Sequence, residues 1–490
     1  MPRLLLVIAA ASIGASASAQ NETRARSVYA PSACADVALP RSPDSVDRLV
    51  VARMREDRIP AVQLSVLRRG HIETRVYGYA DLDHCVPADS NTIFGIASVS
   101  KQLTAYATLR LVQDKLLALD EPITKYLPEA RPMWDGITIR HLLTHTSGIR
   151  DYGGDDPIYP QQRIERRIDY PADSLIRMFA RAPLNFPAGT QFAYSNTGYY
   201  MLSIALERAA RMPFADVMRA LVYQPLGMRS TSDWNPRVII PNLAVGYGTY
   251  DDTLTHGSYR APTAGRWGGD TGLLSTAADL ARFQAELMHP RLLPAAAVHS
   301  MTARDSLSDG STVTYGYGIQ PSDVRGIPML MHAGTFIAGY TAFVATFPTR
   351  DVSVTIATNS HTAQPWLLVM SALSLLDDSL RALPVPPAND PEVGRTARLR
   401  ALFTGDSTAL PMTRGFASLA YGATRARFRG LAATVTFTFI GCDDLHHSRA
   451  ALPDLATSEC YYRIGSDRRG LTLGVYFTDT GAVADVRAKG

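Results

Sequence analysis

Charge is sparse along this chain, and long apolar runs are absent beyond its N-terminus. Of the 490 residues 19% are charged, the net charge is +4, and outside residues 163–167 no block of Lys or Arg is longer than a pair. Nucleic-acid binding has no support, because it requires a concentrated basic surface. After the N-terminal segment no stretch reaches the about 18 apolar residues of a membrane-spanning helix. We therefore expect no integral membrane segment in the mature protein.

Cysteine is also scarce, with four residues at positions 34, 85, 442 and 460. In an oxidising compartment this number permits two disulfides. Proximity along the chain favours Cys34–Cys85 and Cys442–Cys460, and the second pair would close a loop of about nineteen residues worth roughly 3 kcal/mol. Four free thiols are the alternative.

The N-terminus has the pattern of a secretory signal. Arg3 is followed by the apolar run 4–11 and then by small residues that end at Ala17-Ser18-Ala19. This predicts a signal peptide over residues 1–19 and an exported protein, periplasmic or secreted. A permanent membrane anchor is the alternative, and a lipid anchor is not expected because the residue directly after Ala19 is not a cysteine.

The first of three chemical motifs is Ser98-Val99-Ser100-Lys101. The segment Val99 to Gln113 has the apolar periodicity of a helix, so Lys101 lies beside the Ser98 hydroxyl. A hydroxyl needs a nearby base to become a nucleophile, and a nearly buried lysine is a candidate base. A capping serine with a solvated lysine is the structural alternative.

The second motif is Tyr194-Ser195-Asn196, in a turn-rich loop that leads into an apolar helix predicted to begin near Gly198. A phenol beside an ammonium can move a proton, and an Asn amide can hold a substrate carbonyl. The alternative is a tyrosine packed on the surface and an asparagine in a turn.

The third motif is His332-Ala333-Gly334, which we predict to precede a glycine-spaced strand from Gly334 to Tyr340. Glycine at 334 lets a substrate backbone approach closely. The amide N–H of Thr335 is expected to pair with that of Ser98 as an oxyanion hole. The alternative for His332 is a strand-end histidine with local partners.

The order of the predicted elements indicates an α/β (α+β) fold. Strands near both ends of the first 383 residues, with helices between them, imply one antiparallel sheet, flanking helices and an inserted helical subdomain. The site is expected in the cleft between sheet and helices. The supporting segments are the helices Ser42–Arg55 (with Pro43 near its start) and Trp366–Leu380, and the strands Val62–Leu67, Ile72–Tyr79, Tyr340–Phe347 and Val352–Thr358.

A second unit is expected after residue 383. Residues 384–392 form a Pro-rich linker, and residues 393–490 are predicted to be a small β-rich domain. Its strands are predicted over Thr434–Phe439, Leu471–Phe477 and Ala482–Val486. The main domain is then residues 20–383.

Two histidine-containing groups do not predict a metal. His141 and His145 have the i, i+4 spacing of zinc ligands, but the glutamate of a metalloprotease helix is missing. Near Cys442, the residues Asp443, Asp444, His446 and His447 are better explained as a solvated disulfide loop. No metal and no cofactor are therefore expected.

Taken together, the motifs resemble the serine β-lactamase and penicillin-binding-protein superfamily. The chain is most similar to the branch with class C β-lactamases, D-stereospecific peptidases and β-lactamase-fold esterases, on the three motifs and on residues 123–128, 137–149 and 272–283. The likeness covers roughly residues 42–380. It implies that Ser98 is the acylated nucleophile, Lys101 its base or proton relay, Tyr194 a proton shuttle and Asn196 a substrate-orienting ligand.

His332 is a departure from that pattern, because β-lactamases have the lysine of K-T-G at this place. A histidine is mostly neutral at pH 7, whereas lysine is a permanent cation suited to a carboxylate. We therefore expect an exported serine hydrolase other than a dedicated β-lactamase. Its substrate would be a small molecule or peptide: a D-amino-acid peptide, a cell-wall peptide or a short ester. The alternatives are a penicillin-binding receptor without turnover and a partner-binding scaffold; the oligomeric state is not predicted.

Overall fold

A computed structural model describes most of the chain after residue 33. The described residues are 34, 36–152, 171–235, 238–250, 253–257, 268–324, 327–336, 338–377, 380, 390, 392, 394–404, 406–413, 417, 437–444, 458–464 and 471–489. The predicted signal peptide and most of the predicted linker lie outside these residues. Among the described residues, no helix combines the length and the apolar character needed to cross a membrane.

The described elements alternate between sheet and helix along the chain. The helices are α1 Ser45–Asp57, α2 Ser100–Gln113, α3 Ile139–Leu143, α4 Ala172–Ala180, α5 Asn196–Ala210, α6 Phe214–Met218, α7 Ala277–Met288, α8 Ala295–Thr302, α9 Pro365–Leu376 and α10 Arg395–Thr404. The strands are β1 Ala61–Arg68, β2 His71–Asp81, β3 Val86–Pro87, β4 Phe94–Gly95, β5 Ser232–Asp233, β6 Tyr247–Tyr250, β7 Thr253–His256, β8 Leu273–Ser275, β9 Gln320–Val324, β10 Ile327–Phe336, β11 Tyr340–Phe347, β12 Val352–Thr358, β13 Phe437–Asp444, β14 Ser458–Ile464, β15 Leu471–Phe477 and β16 Val483–Lys489.

The largest sheet has seven antiparallel strands in the order β3-β2-β1-β12-β11-β10-β9. Strands β1 and β12 join its two halves, with Val62 opposite Thr358 and Arg68 opposite Val352. The N-terminal hairpin thus pairs with a hairpin almost three hundred positions later. The predicted antiparallel sheet, assembled from both ends of the first 383 residues, is confirmed.

The central strands are buried on both faces. Every residue of β11 and β12 is buried, as are all residues of β1 except Arg68. Helices α1 and α9 pack together over one core, in which Val50, Leu64 and Leu368 are shielded from solvent. Helix α7 contacts β1 and β12 as well. The polar residues that alternate with apolar ones in β12, Ser353 and Thr355, are therefore buried as well, and their hydroxyls donate to backbone carbonyls.

The predicted start of helix α1 and the predicted end of helix α9 were wrong. Helix α1 begins at Ser45 rather than Ser42, because the Asp44 carboxylate accepts from the N–H groups of Val46 and Asp47 and so caps it. Pro43 therefore precedes the cap. Helix α9 ends at Leu376, four residues before the predicted end, with Asp377 in extended conformation.

The inserted helices form the largest hydrophobic core. Helices α2 and α5 contact each other, and Leu103, Tyr106 and Tyr199 are fully buried. Helix α5 begins at Asn196, earlier than predicted, because the Ser195 hydroxyl accepts the Gly198 N–H at 3.1 Å as an N-cap. This cap places the second motif at the N-terminus of the helix.

The third motif lies inside a strand, and its predicted position before a strand was wrong. His332, Ala333 and Gly334 belong to β10, which continues to Phe336. The turn to β11 falls at Gly339, whose φ is +106° and whose N–H donates to the Phe336 carbonyl at 2.9 Å. Glycine at 339, and not at 334, therefore forms the turn.

Beyond the main sheet lies a four-stranded sheet in the order β13-β14-β15-β16. Its own core contains Phe403, Tyr462 and Phe477. Helix α10 contacts β13 and was not predicted, although Leu399, Leu402 and Phe403 have helical spacing and are buried. Residues 434–436 of a predicted strand lie outside the described residues, and the boundaries 384–392 and 393–490 stay predictions.

The cysteines agree with an oxidising environment. Cys34 and Cys85 form a disulfide, which confirms that predicted pair. Cys460 is also disulfide-bonded, and the strand register places Cys442 directly opposite it in β13. His446 and His447 lie outside the described residues.

Candidate active site

Ser98 lies on a tight turn between β4 and α2. It is the one partly exposed residue between Phe94 and Leu109. Before it, Ala97 has a φ of 47°, in the left-handed region that costs a non-glycine residue about 1–2 kcal/mol. The turn is tied to β8, since Ile96 N–H donates to the Leu273 carbonyl at 3.1 Å. The neighbouring structure thus holds Ser98 on a strained turn.

Lys101 is fully buried directly beside this serine. Its Nζ is 3.3 Å from Ser98 Oγ, 2.7 Å from Asn196 Oδ1 and 2.8 Å from the Asp270 carbonyl oxygen. The Tyr194 ring also lies close, with 4.8 Å between Nζ and the ring centroid. The four predicted residues Ser98, Lys101, Tyr194 and Asn196 therefore meet around one ammonium group.

His145 packs against the Tyr194 ring and binds the backbone of the next residue, Ser195. Its imidazole is fully buried, stacks on the Tyr194 ring at a centroid distance of 4.2 Å and accepts the Ser195 N–H at its Nδ1 at 3.1 Å. Burial, followed by the charge of Lys101, lowers the pKa of His145 well below 6.5, so the ring is neutral. Sequence reasoning set aside a zinc site at His145 and assigned the residue no role in the active site.

His141, the other half of that spacing, has a different function. Its Nδ1 accepts the Thr138 N–H at 3.2 Å and so caps helix α3. Throughout the described part of the chain there is no group of three or more His, Cys, Asp or Glu residues arranged to hold a metal.

Gly334 brings β10 against the serine turn. A Cβ atom built on Gly334 would lie 2.3 Å from the Ile96 carbonyl oxygen and 3.1 Å from Ser98 N. Pairing with β9 ends at Met331, and Phe336 accepts a hydrogen bond from the turn toward β11. Because successive strand residues direct their amides to opposite edges, the Thr335 N–H faces the edge that β9 leaves open.

His332 has both ring nitrogens engaged within the protein. Nδ1 is 2.7 Å from the Ala333 carbonyl oxygen, which only accepts, so Nδ1 carries the proton and Nε2 accepts from the Tyr315 hydroxyl at 2.8 Å. Burial and then the charge of Lys101 lower the pKa of His332 to about 3. The position that holds a cation in K-T-G proteins is therefore neutral here. Tyr315, which fixes this tautomer, carried no recognisable sequence signal.

Three further residues border the site and were also missed. Asp151 accepts hydrogen bonds from Asn196, and the Tyr152 phenol donates to the Asp270 carboxylate. Asp270 is 1% exposed, and burial raises the pKa of its carboxyl. Their contacts join segments far apart in sequence, which explains why no local pattern revealed them.

Several known proteins are similar to this chain. A model of the Beta-lactamase family matches residues 46–367. The chain is 40% identical over 195 residues to esterase EstB of Burkholderia gladioli, covering 38% of this chain and 50% of that protein. It is 31% identical over 274 residues to penicillin-binding protein 4* of Bacillus subtilis (strain 168), covering 53% and 59%.

Among solved structures, the penicillin binding protein from Bacillus halodurans superposes with a TM-score of 0.56 at 25% identity, over 69% of this chain and 100% of that one. The chain spans only 50% and 59% of the two curated relatives. The family match nevertheless extends across the main sheet and the inserted helices and includes Ser98, Lys101, Tyr194 and His332. This chain belongs to the Beta-lactamase family.

Proposed function

We propose that this chain is a serine hydrolase that forms an acyl-enzyme at Ser98 and acts on esters or amides without a carboxylate beside the scissile bond. The observation that carries the proposal is the 3.3 Å separation of Lys101 Nζ from Ser98 Oγ in a buried setting. A hydroxyl becomes a nucleophile when a base at hydrogen-bonding distance takes its proton, and the Lys101 amine is the group placed to do so.

The proposed reaction has two halves. Ser98 Oγ attacks the substrate carbonyl carbon while its proton passes to Lys101 Nζ, and the Ser98 and Thr335 N–H groups stabilise the oxyanion. The bond to the leaving group then breaks, and the proton held by Lys101 Nζ passes through the Tyr194 hydroxyl to that group, so that both residues return to their starting protonation. A water molecule activated through the same residues attacks the acyl-enzyme, and Ser98 regains its proton as the acid is released.

The preferred substrate follows from charge. Lys101 is buried, with its Nζ surrounded by Ser98 Oγ, Asn196 Oδ1 and the Asp270 carbonyl oxygen, and His332 is neutral, so neither is available as a cation for a substrate carboxylate. Esters and amides that are neutral around the scissile bond fit this site, as in a short ester or a D-aminoacyl amide. The name of the esterase relative is in keeping with that class. A cell-wall peptide ending in a free carboxylate fits less well.

Export is part of the same proposal. The apolar segment after Arg3 and the small residues before position 20 have the signal-peptide pattern. The Cys34–Cys85 disulfide supports an oxidising compartment, the periplasm or the exterior.

The test is a substrate panel comprising p-nitrophenyl esters, D-aminoacyl amides, D-Ala-D-Ala peptides and nitrocefin. Ser98→Ala should abolish hydrolysis while the fold persists, and Lys101→Ala and Tyr194→Phe should each lose at least about 10²-fold. Ser300→Ala is the matched control, because this exposed serine on α8 lies outside the site.

The same panel separates the alternatives. Near-full turnover by Ser98→Ala would overturn the proposal. One product molecule per enzyme without further turnover would instead indicate a penicillin-binding receptor. No reaction with any substrate or covalent probe would favour a partner-binding scaffold.

A further inference from the structure

The direction of the Lys101 amine depends on two carbonyl oxygens. In the neutral form in which it acts as the base of the proposed reaction, the Lys101 amine has two N–H donors and one lone pair. The short contacts of Nζ, 2.7 Å to Asn196 Oδ1 and 2.8 Å to the Asp270 carbonyl, use both donors. The lone pair is then left for the remaining neighbour, Ser98 Oγ at 3.3 Å. Whatever holds these two carbonyl groups in place therefore aims the base at the nucleophile.

Asp151 holds the first carbonyl. Its Oδ1 accepts the backbone N–H of Asn196 at 2.7 Å, and its Oδ2 accepts the Asn196 side-chain Nδ2 at 3.2 Å. The side-chain amide of an asparagine without fixed partners can rotate by about 180°, so that its oxygen and nitrogen atoms swap positions. A carboxylate only accepts, so Asp151 selects the NH₂ end and leaves Oδ1 directed at Lys101.

Tyr152, the next residue, holds the second carbonyl group, that of Asp270. Its phenol donates to the buried Asp270 carboxyl, which also accepts from Thr271 Oγ1 at 3.1 Å. Its backbone N–H donates to Thr197 Oγ1 at 2.8 Å. One dipeptide thus binds the start of α5, which carries Asn196, and the turn that presents the Asp270 carbonyl.

We propose that Asp151 and Tyr152 form a positioning unit that aims the Lys101 amine at Ser98 by fixing its two carbonyl acceptors. The inference rests on the proposed hydrolase function. Neither residue touches the reacting atoms, so each acts through Lys101. Asp151→Asn is the informative substitution, because it replaces an accepting oxygen with an NH₂ that opposes the Asn196 NH₂.

The first measurement is steady-state hydrolysis of a p-nitrophenyl ester. Asp151→Asn should lower kcat by about 10- to 100-fold, the range expected when a catalytic group is misplaced by a fraction of an ångström to one ångström. KM should change by less than about threefold, because the pocket is intact. Tyr152→Phe should lower kcat several-fold. Asp216→Asn, on α6 in an exposed ion pair with Arg219, is the matched control and should match the unmodified protein.

The second measurement asks whether the effect passes through Lys101. Each substitution is combined with Lys101→Ala, and the slow acylation by a fluorophosphonate is followed by mass spectrometry. Because the Lys101→Ala protein has no amine at this position, Asp151→Asn and Tyr152→Phe should change its residual acylation rate by less than about twofold. A general structural defect would persist at full size in the Lys101→Ala background.

Three outcomes would overturn the inference: unchanged kcat in both variants, a loss that appears only in KM, or a loss that survives removal of Lys101. If one variant misfolds by circular dichroism, the other decides. These outcomes are distinct from failure of the proposed function, which would appear as retained hydrolysis by Ser98→Ala.

Discussion

At the scale of single residues, the serine turn and β10 are in contact through their backbones. A methyl group on Gly334 would meet the Ile96 carbonyl oxygen at 2.3 Å, a distance that Cβ atoms do not tolerate. On the other side, Ala97 adopts a φ of 47°. The Ser98 amide is thus held between a residue without a side chain and a residue in an unfavourable conformation.

Gly334→Ala should therefore lower kcat/KM by at least about 100-fold, because the added methyl displaces the Ser98 amide from the oxyanion position. It should also reduce the free energy of unfolding by about 1–3 kcal/mol. Ester hydrolysis and urea unfolding measure the two effects.

Gly310→Ala is the matched control for this substitution. A Cβ there has open space, but the φ of +82° makes the change costly for stability. It should be destabilised while keeping its activity. Comparable activities of the two variants would contradict the role given to Gly334.

The part of the site that could be predicted from sequence consists of residues that belong to short motifs. Ser98 and Lys101 share one helix turn, so their proximity follows from spacing. Asp151, Tyr152, Asp270 and Tyr315 act through tertiary contacts, which have no local pattern. His145 was visible as a histidine, but its neutral, stacked state results from burial that only the fold creates.

At the scale of elements, β10 combines a paired edge and an open edge. Its His332, Gly334 and Phe336 are buried, whereas Ala333 and Thr335 are exposed. The strand was predicted to begin at Gly334, and this glycine was explained by the close approach of a substrate backbone. In the structure the serine turn also approaches Gly334 closely, which leaves no room for a side chain there.

His332→Lys should create a binding site for a substrate carboxylate on β10. A charge-assisted hydrogen bond contributes about 1.5–3 kcal/mol, so affinity for carboxylate-bearing ligands such as nitrocefin should rise by about 10- to 100-fold. Hydrolysis of neutral esters should fall, since a hydrated ammonium replaces the Tyr315-bound imidazole.

His332→Gln, which is neutral, controls for loss of the Tyr315 hydrogen bond. Both variants are compared with the unmodified protein in steady-state kinetics with nitrocefin and p-nitrophenyl acetate. Efficient nitrocefin hydrolysis by the unmodified enzyme, unaltered by the lysine, would refute the charge explanation.

At the scale of the whole molecule, the main sheet could be predicted because strands near both ends of one region must pair around intervening helices. The fold of residues 393–490 was predicted less completely, since α10 has only a short apolar stripe. The large core also buries two neutral histidines, His145 and His332, near Lys101. This arrangement links the stability of the molecule to pH.

The free energy of unfolding should fall as the pH decreases from about 6.5. The pKa of both histidines is lowered in the folded state, so below the unfolded value of about 6.5 the unfolded chain binds more protons. Each histidine adds a slope of up to about 1.4 kcal/mol per pH unit, down to its folded pKa, about 3 for His332. Asp270, whose pKa is raised, has the opposite sign: its contribution is lost as the pH rises above about 4.

Urea unfolding between pH 4.5 and 7.5 tests this linkage. His332→Gln should reduce the slope between pH 4.5 and 6 by about 1.4 kcal/mol per pH unit, and His299→Gln, on the exposed side of α8, should not. Equal slopes in all three proteins would contradict a neutral, buried His332.

The acyl-enzyme itself tests the central claim most directly. The purified protein is mixed with a fluorophosphonate or with excess p-nitrophenyl ester, quenched in acid, digested and analysed by mass spectrometry. We predict one modification per chain, on the peptide that contains Ser98, and none in Ser98→Ala. A modification on any other residue, or equal labelling of the Ser98→Ala protein, would contradict the account.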